Sequence, residues 1–196
     1  MKYLNLFSKK YKKVLAFDGG GVRAIMGVYF LKKLEEESSK SIFESFDLFI
    51  GTSAGATNAL MLGMKGSSIK DLEKFWTIEN LKRIMNQSFI DKTSIFQTRP
   101  KYSNEGKKEI LYNFFENKKI GESLKPVVVT AYDLEARKPI LISSYGDPEV
   151  TAVQAANASS AAPIYFPTAN MKDGRWLIDG GIATNNPSLL GYVEAK

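Results

Sequence analysis

Apolar positions along the chain fall into two patterns. The run VLAF (14–17) is continuous and ends at the glycines of DGGG (18–21). The segment after it has apolar residues at intervals of three and four: Val22, Ile25, Met26, Tyr29, Phe30 and Leu34. A short apolar run closed by glycines is typical of a buried strand, and spacing near 3.6 is typical of an amphipathic helix. The chain therefore opens with a predicted strand, glycine loop and helix.

The same order recurs further along the chain. FDLFI (46–50) predicts a strand, GTSAG (51–55) a tight turn, and 52–63 a helix that Gly63 can end. Later patterns predict helices at 67–87, 104–117, 148–163 and from Pro187 onward, and strands at 125–134, 138–145 and 176–178. No clear period is present at 88–103.

Alternation of strands and helices predicts an α/β fold with a mostly parallel central sheet, flanked by helices on both faces. Sites in such folds form at the carboxyl ends of strands. Three glycine clusters follow predicted strand ends: DGGG, GTSAG and the DGG of 179–181. The chain has 196 residues, 44% of them hydrophobic, which predicts a single domain spanning 1–196.

Composition removes several kinds of chemistry. The chain has no Cys and no His, so disulfides, thiolate sites and a histidine base are excluded. Carboxylates, Lys, Tyr, Ser and Thr remain for catalysis. The sequence contains no run of about 18 apolar residues, so no membrane-spanning helix is predicted. The basic start MKYLNLFSKKYKK lacks the apolar region of a Sec signal peptide, so we expect a cytoplasmic protein.

The net charge of +6 comes mostly from scattered Lys residues. Such a distribution is compatible with a solvated surface and also with attraction to an anionic lipid surface. Because there is no dense Arg-rich block and no nucleic-acid motif, we predict no nucleic-acid partner. Peripheral membrane contact stays open, and no activating protein or oligomeric state is predicted.

The loop DGGGVRA has three interpretations. Gly19-x-Gly21-x-x-Ala24 formally fits a dinucleotide fingerprint, but Asp18 would face the phosphates and no acidic residue ends the next strand. A helix N-terminus behind three glycines suits an oxyanion equally well, because its backbone N–H groups point at negative charge. A plain glycine turn is the third interpretation. We favour the oxyanion hole over the nucleotide loop.

GTSAG fits the nucleophile elbow of serine esterases, with Ser53 as the nucleophile. Small residues at Gly51, Ala54 and Gly55 let strand and helix backbones cross closely, although a simple strand-to-helix turn would also use them. Without His, a carboxylate or a Lys must take the proton from Ser53. Asp179, which follows the apolar WLI, is the best-placed carboxylate, yet DG is also an ordinary turn dipeptide.

Four motifs together resemble the patatin-like phospholipase family in order and approximate spacing. They are DGGGVR (18–23), GTSAG (51–55), ASSAAPIYFP (158–167) and DGGIATNNP (179–187). The resemblance implies a three-layer sandwich and a lipid acyl hydrolase that cleaves fatty-acyl esters of phospholipids or related glycerolipids. It also implies a Ser-Asp dyad that needs neither histidine, metal nor cofactor.

Carried over to this sequence, the resemblance implies that Ser53 is the nucleophile and Asp179 its base. Gly51 and Gly55 would flank the elbow, and the oxyanion hole would be formed by Gly19, Gly20, Gly21, Val22, Arg23 and Ala54. This chain departs from the family at Ala24, where Gly is frequent, and at Lys196, where members usually continue. The second departure implies a trimmed or minimal version without the family's C-terminal extension.

Segment 64–125 has no role in this scheme. Its apolar residues predict core, or a cap over an acyl-chain pocket, or a membrane contact. Two rival functions remain: an inactive relative that binds a lipid or a partner, which the presence of both Ser53 and Asp179 disfavours, and a dinucleotide-dependent oxidoreductase.

Overall fold

The structure, a computed structural model, describes residues 11–86 and 99–196. Its centre is a six-stranded mixed sheet whose first three strands run parallel. The strands are β1 (Val14–Phe17), β2 (Leu48–Thr52), β3 (Val127–Asp133), β4 (Lys138–Ser143), β5 (Ala169–Asn170) and β6 (Trp176–Asp179). β4 and β6 pair antiparallel with β3, and β5 pairs antiparallel with β6.

Helices connect and cover these strands. Within the described residues they are α1 (Ala24–Ser38), α2 (Ile42–Ser45), α3 (Ala54–Lys65), α4 (Ile69–Phe75), α5 (Ile78–Ile84), α6 (Asn104–Phe115), α7 (Ala152–Ser159) and α8 (Ser188–Glu194). Short 3-10 turns occupy Gly21–Arg23, Ile120–Glu122 and Gly180–Ile182.

The sheet has an apolar layer on each face. On one face α1, α3, α6 and α7 share a large core with the sheet, in which Val28, Leu62 and Val129 are fully buried. On the other face Leu190 of α8 packs against Ile50 and Val128. This arrangement confirms the predicted α/β class, a sheet with a mostly parallel core and helices on both faces.

β2 and β6 lie end to end along one edge of β3, which the alternation of elements does not predict. β2 pairs with the first half of β3, up to Thr52 opposite Thr130. β6 runs in the opposite direction along the second half, and Asp179 pairs with Ala131. Because Thr130 and Ala131 are consecutive, the carboxyl ends of β2 and β6 converge on one point of the sheet.

Two predicted helices have different ends in the structure. In place of the single helix predicted at 67–87, residues 67–86 contain two helices, α4 and α5, because Thr77 caps a new helix through its Oγ1, which accepts from Asn80 N at 3.3 Å. The helix predicted to end at Gly63 continues to Lys65 and ends at Gly66, which has a φ of 59°. Gly63 instead allows close packing on β3, since a Cβ there would lie 2.0 Å from Val127 Cγ2.

The third difference is α7, which is shorter than the predicted 148–163. It begins after a capping box between Thr151 and Gln154 and ends at Ser159, with Ser160 as its C-cap. Residues 87–98, which include most of the stretch without a clear period, lie outside the described part of the chain.

Candidate active site

Ser53 occupies a sharp turn between β2 and α3. Its φ of 55° and ψ of −125° are a conformation that residues with a side chain rarely adopt. Such a backbone costs about 1–3 kcal/mol and persists only where the surrounding structure enforces it. The turn projects the side chain into the large cavity beside the sheet. This is the geometry that the nucleophile elbow requires.

Close packing around the turn accounts for its two glycines. A Cβ on Gly51 would lie 2.4 Å from Gly55 O, and a Cβ on Gly55 would lie 2.5 Å from Asp18 O. Both neighbours are backbone atoms, so they cannot move aside as a side-chain end could. The crossing of β1, β2 and α3 therefore tolerates only glycine at these positions.

Asp179 faces Ser53 at the point where β2 and β6 converge. Ser53 Oγ donates to Asp179 Oδ2 at 2.5 Å, and Gly181 N donates to the other carboxylate oxygen, Oδ1, at 2.7 Å. Both oxygens of the carboxylate are thus oriented, and only 6% of the residue is exposed. The sequence-predicted nucleophile and base are in direct contact.

Burial is the main influence on the pKa of Asp179 and raises it above the usual value of a carboxyl group. The hydrogen bonds from Ser53 and Gly181 N, and the charge of Lys107, act in the opposite direction. A raised pKa makes the carboxylate a better proton acceptor.

The glycine loop lies beside Ser53, and the structure narrows its predicted role. Gly20, Gly21, Val22, Arg23 and Ala54 all line the cavity with Ser53. The backbone N–H of Gly19, however, donates to Asn185 O at 3.0 Å, and that of Arg23 donates to Gly20 O at 3.2 Å. These two N–H groups, both predicted oxyanion donors, are therefore committed elsewhere.

The cavity has a volume of about 590 Å³ and two contrasting walls. One wall carries the dyad and the glycine loop. The other is formed by side chains from α4, α5 and α6 and the residues directly after them: Phe75, Trp76, Leu81, Ile84, Met85 and Leu111. Residues of segment 64–125 thus form one side of the cavity that contains Ser53.

Several supporting contacts were not predicted from the sequence. Ser159 Oγ, at the end of α7, accepts from Ser53 N at 2.9 Å. Thr52 Oγ1 donates to Thr184 O at 2.9 Å and accepts from Thr130 Oγ1 at 2.8 Å, which ties the loop after Asp179 to β2. The motif at 158–167 was the only signal that pointed to Ser159. No sequence signal pointed to Thr52 or Thr130.

Two further properties concern the described residues as a whole. Within 11–86 and 99–196, acidic side chains do not gather into groups of three or more that could hold a metal ion. In the same part of the chain, no helix combines the length and apolar character needed to cross a membrane.

Comparison of sequences gives a consistent set of relatives. The family model for patatin-like phospholipase matches residues 15–190. Patatin-like protein 4 of Arabidopsis thaliana is 30% identical over 98% of this chain and 53% of its own length. A cGAMP-activated phospholipase of Pseudomonas aeruginosa is 31% identical over 93% of this chain and 56% of its own. The chain therefore spans about half the length of these relatives.

Solved structures share the fold at low sequence identity. VipD from Legionella pneumophila superposes with a TM-score of 0.61 at 16% identity, over 87% of this chain and 46% of VipD. ExoU of Pseudomonas aeruginosa, solved in complex with SpcU, gives a TM-score of 0.51 at 17% identity, over 79% of this chain and 39% of the matched chain.

Proposed function

The chain belongs to the patatin-like phospholipase family, and we propose that it hydrolyses fatty-acyl esters of phospholipids or related glycerolipids through Ser53 and Asp179. One observation carries this proposal: the 2.5 Å hydrogen bond from Ser53 Oγ to Asp179 Oδ2, inside a cavity with an apolar wall. A nucleophile in hydrogen-bond contact with an oriented base is the arrangement that covalent catalysis needs.

In the proposed first half-reaction, Ser53 Oγ attacks the ester carbonyl carbon as its proton passes to Asp179 Oδ2. The carbonyl oxygen becomes an oxyanion, which backbone N–H groups of Gly20, Gly21, Val22 and Ala54 stabilise. The C–O bond to the alcohol then breaks, and Asp179 returns the proton to the departing alkoxide. Gly19 and Arg23 are positioning residues in this scheme, because their N–H groups hold the loop.

In the second half-reaction, water attacks the acyl-enzyme. Asp179 takes a proton from the water, a second oxyanion forms in the same hole, and the bond between the acyl carbon and Ser53 Oγ breaks. Asp179 then returns the proton to Ser53 Oγ, and the fatty acid is released. Each proton that Asp179 accepts is given back, so the cycle needs no other acid or base.

The apolar wall is the proposed binding site for the acyl chain. Leu111 and Trp76 are buried side chains that face the cavity, and the contact with apolar CH₂ groups is favourable at about 0.8 kcal/mol for each group removed from water. In this proposal the described residues of segment 64–125 that line the cavity bind the acyl chain, one of the roles left open by the sequence.

We also propose that the residues around the mouth of the cavity contact a lipid surface. Val22, Tyr165 and Ile182 line the cavity and are also exposed to solvent. Exposed apolar side chains around a cavity mouth suit contact with aggregated lipid, and the net charge of +6 favours anionic headgroups.

The test is product analysis on phospholipid vesicles. We expect mass spectrometry to detect free fatty acid and lysophospholipid with the wild-type chain, and none above background with Ser53→Ala. Because two bacterial relatives are named cGAMP-activated phospholipases, the assay is run with and without cGAMP. A folded wild-type chain that releases no fatty acid under either condition would contradict the proposal and favour the lipid-binding alternative.

A further inference from the structure

Lys107 is a buried cation that the proposed reaction does not use. It lies on α6, lines the cavity that contains Ser53 and Asp179, and is only 4% exposed. Its Nζ donates to Ser160 O at 3.1 Å and to Ser160 Oγ at 3.4 Å, and lies 4.0 Å from the centroid of the Phe166 ring. These contacts hold the ammonium group at a fixed place in the cavity wall.

Three consecutive residues, the last of α7 and the two that follow it, link Lys107 to the dyad. Ser159 Oγ accepts from Ser53 N at 2.9 Å, Ser160 accepts from Lys107, and Ala161 O accepts from Asp179 N at 3.1 Å. A single short stretch of backbone thus positions the nucleophile, the base and the buried cation. Lys107 and Asp179, which line the same cavity, are therefore tied to the same stretch of backbone.

We propose that Lys107 is a positioning residue of the dyad, whose ammonium group keeps the buried carboxylate of Asp179 ionised and so preserves the base at acidic pH. The inference rests on the proposed function for its catalytic consequence. A buried carboxylate without a neighbouring cation holds its proton to higher pH, because burial penalises the charged form. The charge of Lys107 opposes that penalty, and burial in turn lowers the pKa of Lys107 to about 7.

Other charged groups around the pair are few. Lys108, the next residue of α6, is exposed, and its positive charge disfavours the charged form of Lys107. α5, packed against α6, contributes Arg83, whose charge is paired with Glu109. α7 has no ionisable side chain between Ala152 and Ser159.

The ionisable groups at the mouth of the cavity are Arg23, Tyr102 and Tyr165. β3 contributes Asp133, whose Oδ1 accepts from two backbone N–H groups beyond the strand. Among these described groups, Lys107 is the cation that acts on the pKa of Asp179.

The experiment measures the ionisation of Asp179 directly. The full chain is labelled with ¹³C-aspartate, and the carboxyl signal of Asp179 is followed by NMR against pH in the wild type, Lys107→Met and Lys108→Met. The signal is assigned by its loss in Asp179→Asn. We expect Lys107→Met to raise the titration midpoint by about 0.5–1 pH unit, because the substitution removes a positive charge from the buried cavity that contains the carboxylate. Lys108→Met removes a positive charge from the exposed side of the helix and should leave the midpoint of Asp179 unchanged. Lys107→Arg keeps the positive charge and should give a midpoint close to that of the wild type.

Equal midpoints in the wild type and a folded Lys107→Met would overturn the inference. If Lys107→Met does not fold, the wild type alone decides: the Asp179 signal must show a second, smaller step as Lys107 loses its proton near the pKa of about 7. Absence of that second step would also overturn the inference.

A parallel rate measurement separates this inference from the proposed function. Hydrolysis of p-nitrophenyl butyrate is measured against pH in the wild type, Lys107→Met and Lys108→Met, and the acid limb of kcat/KM in Lys107→Met moves with the NMR midpoint. A shifted midpoint without any wild-type turnover would retain the coupling and refute the hydrolase. Wild-type turnover with identical midpoints and identical acid limbs would refute the role of Lys107 alone.

Discussion

The catalytic wall and the apolar wall of the cavity are built by different means. In the catalytic wall, backbone geometry positions each group: Ser53 sits at a positive φ, and Gly51 and Gly55 have backbone atoms where a Cβ would be. In the apolar wall, side chains of α4 to α6 fill space by packing, and α4 and α5 are short and separately capped. The first construction permits few amino acids at each position, whereas the second permits many of similar size.

This contrast separates chemistry from selectivity. A change in the catalytic wall should abolish the reaction or destabilise the fold, because the strained turn at Ser53 and the proton acceptor Asp179 are both required. A change in the apolar wall should alter which acyl chain is accepted, since a cavity lined by side chains can change volume without moving Ser53. Four substitutions test this difference.

The largest effect is expected from Asp179→Asn. The amide is nearly isosteric and keeps the fold, but it cannot accept the proton of Ser53, so kcat/KM should fall by at least about 10³-fold. Asp173→Asn is the matched control, because Asp173 is an exposed aspartate of a nearby turn. Steady-state kinetics on a p-nitrophenyl ester checks both, and an Asp179→Asn variant with more than a tenth of wild-type activity would transfer the role of base to another group.

Gly55→Ala should break the catalytic wall by destabilising it. The new Cβ would lie 2.5 Å from Asp18 O and 2.7 Å from Phe17 O, and overpacking against backbone costs about 1–3 kcal/mol or more in free energy of unfolding. Gly27→Ala is the control: its Cβ meets only Phe17 Cδ1 at 3.8 Å, and alanine favours a helix. Urea unfolding compares the two, and equal stabilities would show that the elbow tolerates a side chain.

The charge on Lys107 should make stability depend on pH. Its pKa is lowered to about 7 in the folded state from 10.5, so between these values the unfolded state binds more protons. The free energy of unfolding therefore rises with pH in this window, by up to about 1.4 kcal/mol per pH unit. Urea unfolding at pH 7 and pH 9 should show this rise in the wild type relative to Lys107→Met. Parallel changes in the two proteins would mean that Lys107 stays charged when folded.

Leu111→Ala should give the smallest effect on the reaction and sharpen the contrast. Leu111 faces the cavity, whereas Ile110, the control, is buried on the same helix but does not line the cavity. Both alanine variants should lose about 2–5 kcal/mol of stability. Only Leu111→Ala should change the ratio of kcat/KM for octanoyl and butanoyl esters, by about threefold to tenfold, because this variant alone loses a side chain that contacts the acyl chain in the proposal. The same ratio in both variants would remove α6 from acyl-chain binding.

The same contrast explains what the sequence could predict. Ser53, Asp179 and the glycine loop were recognisable because the elbow and the loop restrict residue types locally. The contacts of Ser159 and Lys107 were not, because Ser159 bonds to Ser53, 106 residues away in the chain, and Lys107 to Ser160, 53 residues away. The antiparallel direction of β6 was also hidden, since a run as short as WLID has no feature that specifies its partner. The break between α4 and α5 followed from the Thr77 cap, a local signal inside an otherwise continuous amphipathic pattern.

The most direct test of the central claim is covalent labelling of the nucleophile. A fluorophosphonate reacts with a serine only where a base and an oxyanion hole activate it, so mass spectrometry of the labelled peptides identifies the reactive residue. We expect one adduct, on Ser53, in the wild type, none in Ser53→Ala, and strongly slowed labelling in Asp179→Asn. Labelling that persists in Ser53→Ala, or an adduct on Ser159 or Ser160 in place of Ser53, would contradict the account.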